Sequence, residues 1–123
     1  MTDLTGRRIL VLEEHEPLAV VLASMLQDMG CEMVGPAHRI DDAIALAISA
    51  PIDAAILDIA IGGEASFAVA NALANRGIPY IFTSGNKTSA NIERYAPISV
   101  MTKPYSAEHV HQVLSELIES AKA

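Results

Sequence analysis

The chain has 123 residues, with 8 Lys and Arg against 15 Asp and Glu, for a formal net charge of −7, and this length suits one domain around a single core. Apolar residues make up 51% and charged residues 19%, which excludes a disordered chain, and with 4% aromatics and no Trp the core must be built from Ala, Ile, Leu and Val. An acidic chain without a Lys/Arg cluster is poorly suited to binding nucleic acid or an anionic membrane directly.

The opening segment, MTDLTGRR, lacks the apolar run of a signal peptide. Arg8 to Leu12 is predicted as the first strand, a nearly continuous apolar run of the kind covered on both faces. After Glu13, Glu14, His15 and Glu16 comes Pro17, which the first turn of a helix tolerates, and this helix is predicted to run to about Met29 and stop at Gly30. Its apolar stretch, Leu18 to Leu26, is interrupted by Ser24 and is about half the length that spans a bilayer. The stripe through Pro17, Val20, Val21 and Ser24 is expected to expose apolar surface beside the acidic residues, a pattern that marks partner docking.

Cys31 to Val34 reads as the second strand, and Met25, Met29 and Met33 as core filler. A lone Cys31 forms no internal disulfide, which fits a reducing cytoplasm. A helix over about Asp41 to Ser49 closes at Pro51, and the third strand, Ala54 to Leu57, ends at Asp58. The next helix is predicted over Glu64 to Arg76, ended by Gly77. The fourth strand, Tyr80 to Thr83, leads to Ser84 and Gly85; Thr88 to Tyr95 is polar and suits one or two irregular turns. Ser99 to Thr102 is the fifth strand, followed by Lys103 and Pro104. Ser106 is a candidate N-cap for a last helix whose stripe is Val110, Val113, Leu114, Leu117, Ile118 and Ala121. His109 and His111 are two apart and face different sides of that helix, so they form no metal pair.

Strands alternating with helices point to an α/β domain with a parallel sheet covered on both faces. In such a sheet function gathers beyond the carboxyl ends of the strands. There the sequence delivers Glu13, Glu14, Asp58, Ser84 and Lys103. Three carboxylates brought together need a compensating cation. Lys103 gives one charge, and hard oxygen donors without a His or Cys cluster favour Mg2+ over zinc. As a strand-end residue Lys103 is expected to be exposed, so its replacement should cost the fold no more than about 0.5 kcal/mol.

From about residue 7 to 119 the chain resembles the receiver domain of two-component response regulators. The resemblance rests on Glu13-Glu14, Leu57-Asp58, the segment Pro79-Tyr-Ile-Phe-Thr-Ser84-Gly85, and Lys103-Pro104-Tyr105, in that order. It implies a doubly wound, flavodoxin-like fold: a five-stranded parallel sheet in order 2-1-3-4-5 with helices on both faces. It also implies Asp58 as the phosphoacceptor, taking a phosphoryl group from a phosphohistidine. Glu13, Glu14 and Asp58 would hold Mg2+ together with the backbone carbonyl of Ala60. Lys103 would neutralise the phosphoryl oxygens, Ser84 would hydrogen-bond one of them, and Gly85 would leave space for the donor or a water. The implied partner is a histidine kinase or a histidine phosphotransfer protein. On this reading residues 1–123 form a single cytoplasmic receiver without an output domain, which signals or relays through protein contacts rather than as an enzyme, and a homodimer stays open.

Three departures stand beside the resemblance. The acidic pair is Glu-Glu, where the family usually has at least one Asp, and the extra methylene moves a carboxylate by about a bond length at a metal that demands near-ideal geometry. The position of the family's aromatic switch is Val100. The run Ile59-Ala-Ile-Gly-Gly63-Glu64 lacks the usual Met-Pro and is similar to a subgroup of short receivers common in alphaproteobacteria. The alternative these departures keep open is a pseudo-receiver, a binding module that works without phosphorylation. A flavin carrier fits badly because the acidic segment after the first strand would repel a flavin phosphate. A hydrolase fits badly because no Ser-His-Asp or Cys-His set appears at the strand ends.

Overall fold

The two side-chain faces of each buried strand decide the architecture. The computed structural model describes residues 3–85, 100–103 and 105–122. Its elements are β1 (Arg8–Leu12), α1 (Glu16–Asp28), β2 (Glu32–Ala37), α2 (Ile40–Ser49), β3 (Ala54–Asp58), β4 (Ala60–Ile61), β5 (Glu64–Ala65), α3 (Phe67–Asn75), β6 (Tyr80–Ser84), β7 (Val100–Thr102) and α4 (Ala107–Lys122). Successive residues of a strand point to opposite faces. Leu10 and Leu12 of β1, with Ala55 and Leu57 of β3 and Phe82 of β6, meet Ala43 and Ala47 of α2 and Val69, Ala70 and Leu73 of α3. Ile9 and Val11, with Ala54, Ile56 and Met101, meet Leu22 and Leu26 of α1 and Val110, Leu114 and Ile118 of α4. The sheet is therefore sandwiched between two helical layers, as the apolar runs imply.

The five long strands pair in parallel in the order β2-β1-β3-β6-β7, which is the 2-1-3-4-5 order expected once the short β4–β5 pair is set aside. That order puts β1 and β3 side by side, Leu12 opposite Leu57, so the residues leaving both strands emerge next to each other. β6 and β7 bring Ser84 and Lys103 to the same edge, where the Lys103 N–H donates to the Ser84 carbonyl at 2.8 Å. The helix signals hold as well. Pro17 lies in the first turn of α1, and the Ser106 hydroxyl accepts the His109 N–H at 3.1 Å as an N-cap.

Two boundaries differ from expectation. β2 does not stop at Val34 but continues through Gly35 and Pro36 to Ala37. It lies at the sheet's edge, where a residue without an N–H is tolerated. Gly35 has φ +99°, and a Cβ there would meet the Ala37 nitrogen at 2.7 Å, so no larger residue fits; the pairing with β1 shifts register at the same place, from Leu10 opposite Val34 to Leu12 opposite Ala37. The second correction is that Glu64 does not start a helix. Ala60–Ile61 and Glu64–Ala65 form an antiparallel hairpin across Gly62 and Gly63, at φ +58° and +82°, the pair of positive values that a two-residue turn of this type requires. α3 begins only at Phe67. The segment Thr88 to Tyr95, with Ser99 and Pro104, lies outside the described residues.

Candidate functional site at the carboxyl edge of the sheet

Glu13 follows β1 directly and turns inward. It is 2% exposed, unusual for a carboxylate unless it is paired. Its partner is Lys103, whose Nζ lies 2.7 Å from Glu13 Oε1 and 3.1 Å from Asp58 Oδ2. One ammonium thus bridges two carboxylates carried by neighbouring strands, and the three groups together keep a net charge of minus one. The other Glu13 oxygen accepts the His15 N–H at 3.0 Å, and the Glu13 carbonyl meets His38 Nδ1 at 2.8 Å. Lys103, expected to be exposed, is 9% exposed along its side chain. Its stem runs beside Gly85, where an added Cβ would meet Lys103 Cδ at 3.9 Å, an ordinary packing distance.

Asp58 ends β3 and is buried. Burial raises its carboxyl pKa above the ordinary value and the Glu13 charge adds to this, while Lys103 and the Glu14 N–H pull it down. The Glu14 N–H approaches Asp58 Oδ2 at 3.5 Å, the outer limit of a hydrogen bond. Ser84 is buried at the end of β6. Tyr105, half-buried against the α1–α4 layer, has its phenol pushed up to about 12 by burial, then by the charges of Glu13 and Asp58.

The structure brings together Glu13, Asp58 and Lys103; it sends the Glu14 carboxylate elsewhere. Glu14 Oε1 accepts the Gly62 N–H at 3.0 Å, at the tip of the hairpin that follows Asp58. Among the described residues no three His, Cys, Asp or Glu side chains gather closely enough to hold a metal ion. Ala60 is the first residue of β4, opposite Ala65. A further residue acts here that the sequence did not single out: Ser66, fully buried, donates its hydroxyl to the Asp58 carbonyl at 2.5 Å and its N–H to the Ile59 carbonyl at 3.0 Å. It closes the base of the hairpin and fixes the backbone that carries Asp58. A Ser directly before an apolar helix reads as an ordinary N-cap, and that masks the role.

No family model matches the chain, and no curated protein matches it. Solved structures do. SdrG from Sphingomonas melonis Fr1 is 34% identical, with 96% of this chain and 99% of that one covered and a TM-score of 0.79; its BeF3-activated conformation gives 0.75. The response regulator receiver protein of Sinorhizobium medicae WSM419 is 21% identical over 94% of this chain and 97% of that one, with a TM-score of 0.80. This chain belongs to the receiver domains of two-component response regulators. Receiver domains are phosphoacceptors in signal transduction. The receiver domain of the sensor histidine kinase PA1611 from Pseudomonas aeruginosa PAO1, 19% identical over 94% of this chain and 99% of that one with a TM-score of 0.80, carries a magnesium ion coordinated in its active site cleft. No helix among the described residues of this receiver is long and apolar enough to cross a membrane.

Proposed function

We propose that this receiver accepts a phosphoryl group from a phosphohistidine onto Asp58. The observation that carries the reading is the ion-paired set Glu13–Lys103–Asp58 at the carboxyl edge of the sheet. A carboxylate oxygen of Asp58 attacks phosphorus as the phosphorus–nitrogen bond breaks. The imidazole leaves with the electron pair, and the product is an acyl phosphate. This chemistry needs positioning and neutralisation more than covalent help. Lys103 is already in place for it: its Nζ needs only to move from the Asp58 carboxylate to the incoming phosphoryl oxygens. Ser84, at the end of the neighbouring strand, offers a hydroxyl to one of those oxygens.

The donor set suits Mg2+ in chemistry, since Glu13 and Asp58 present hard oxygens around one small site and Mg2+ takes only one or two carboxylates, keeping several waters. Glu13 and Asp58 would hold it, with the Ala60 carbonyl; Glu14 would join them only by leaving Gly62. Bound there, Mg2+ supplies the positive charge that the transferred phosphoryl group requires and that Lys103 alone does not. The BeF3-activated state described for SdrG supports a phosphoryl group as the ligand. The donor is proposed to be a histidine kinase or phosphotransfer protein that approaches over α1, where Val20 and Val21 are 64% and 50% exposed in line with Pro17 and Ser24, both also exposed.

One observation favours a second reading, a binding module that works without phosphorylation: the Glu14 carboxylate is engaged at Gly62, away from the site. Incubation with Mg2+ and a small acyl phosphate, followed by intact mass, separates the two. A single phosphoryl adduct that disappears in Asp58→Asn supports the phosphoacceptor; an unmodified wild-type chain supports the binding module.

A further inference from the structure

We propose that Glu14 is the clasp of the β4–β5 hairpin, a positioning residue for the backbone beyond Asp58 rather than a ligand to the site's cation. Glu13 and Glu14 are adjacent, yet their carboxylates part: Glu13 reaches inward to Lys103 at 2.7 Å, and Glu14 reaches outward to the Gly62 N–H at 3.0 Å. The hairpin needs such a hold. Its strands are two residues each, and a two-stranded ladder is marginal by itself even at greater length. Ser66 ties its base to Ile59 and Asp58; Glu14 ties its tip, with a contact that spans 48 positions of sequence. Ala60 sits between these two anchors, so both determine where its carbonyl stands relative to Asp58.

The choice of Glu follows from reach. An Asp would be shorter by one methylene, about 1.5 Å, and would leave Gly62 beyond hydrogen-bonding distance. The unusual Glu-Glu pair is then a division of labour, with Glu13 serving the charge centre and Glu14 the loop. The consequence for phosphorylation rests on the phosphoacceptor reading; the clasp itself does not.

The test compares wild type with Glu14→Gln, Glu14→Asp and Glu14→Ala by amide NMR, with and without added Mg2+. Gln keeps the length and an acceptor oxygen. It is expected to leave the Gly62 amide resonance near its wild-type position and the Mg2+ affinity within about twofold. Asp and Ala are expected to move the Gly62 resonance upfield together, and to disturb Ala60 and Ile61. The proposal is overturned if Gln weakens Mg2+ binding tenfold while Gly62 stays in place, because Glu14 is then a ligand, or if Asp leaves Gly62 unmoved, because the reach of Glu14 then does not hold the hairpin. Should wild type bind no Mg2+, the phosphoacceptor reading loses its cofactor, but Gly62 still decides the clasp. A Gln variant like wild type and an Asp variant like Ala support it, and four identical Gly62 resonances refute it.

Discussion

Replacing Lys103 with Ala removes the ammonium that two buried carboxylates share. The distances of 2.7 and 3.1 Å and the near-complete burial of Glu13 mean that little solvent is available to take over. Breaking a buried ion pair by deleting one partner costs about 3–5 kcal/mol, a fifth or more of the roughly 5–15 kcal/mol that holds a domain folded. This is far above the cost expected of an exposed lysine. At a urea dependence of about 1–3 kcal/mol per molar, a loss of about 3 kcal/mol lowers the unfolding midpoint by about 1–3 M. The loss also depends on pH with a definite sign. The Asp58 carboxyl already titrates above its ordinary value, and Lys103 is the main group holding it down, so without Lys103 it rises further. A raised folded-state pKa leaves the fold unpenalised below the unfolded value and increasingly penalised as pH climbs through the folded one. Lys103→Ala should therefore lose most stability near neutral pH and much less near about pH 4, and Asp58→Asn added to it should restore part of the loss. Urea unfolding of the three proteins at both pH values is the assay. A neutral-pH loss under about 1 kcal/mol, or one that does not change with pH, would refute the buried bridge.

Ser66→Ala should cost about 1–3 kcal/mol by leaving the buried Asp58 carbonyl short of its donor, and should lower phosphoryl uptake at Asp58; unchanged urea unfolding would remove Ser66 from the site. Val21→Glu should change stability by no more than about 0.5 kcal/mol and leave uptake from a small phosphodonor unchanged, while slowing transfer from a protein donor; equal rates from the protein donor would place docking elsewhere. Because the Tyr105 phenol is pushed up to about 12, stability should fall as pH rises from the ordinary phenol value near 10 through about 12. Tyr105→Phe should lack that part of the alkaline loss, and an identical alkaline limb in both proteins would contradict the burial of the phenol.

The long strands were legible because burial on both faces writes itself as an unbroken aliphatic run, as in Ile9 to Leu12 and Ala54 to Leu57. The exposed stripe of α1 was legible for the opposite reason: apolar side chains at Val20 and Val21 fall on a face that no element among the described residues covers. The β4–β5 hairpin was hidden, since two-residue strands have no period to detect, and Glu64 beside the Ala-rich run of α3 looks like a helix start. Gly62-Gly63 was the available signal, as a glycine pair in a two-residue turn. The direction of a long side chain was hidden too. Nothing in the letters Glu-Glu tells that one carboxylate goes to Lys103 and the next to a backbone amide, because that choice is made by β3 and the hairpin lying alongside. Lys103 was misjudged for exposure because its burial depends on Glu13, ninety positions earlier in the chain.

The outer rim of β2 governs how copies of this molecule can crowd together. Strand rims recruit other chains when they offer an unbroken row of donors and acceptors. Here the row fails midway: Pro36 has no hydrogen to give, Gly35 swings the backbone out of the strand's line, and exposed Glu32 plants a charge at the start. An invading strand would find too few consecutive partners to anneal. On that flank the receiver resists polymerising through its sheet, so a second copy arriving there must settle on helix surfaces, where contacts between side chains can be selective and reversible.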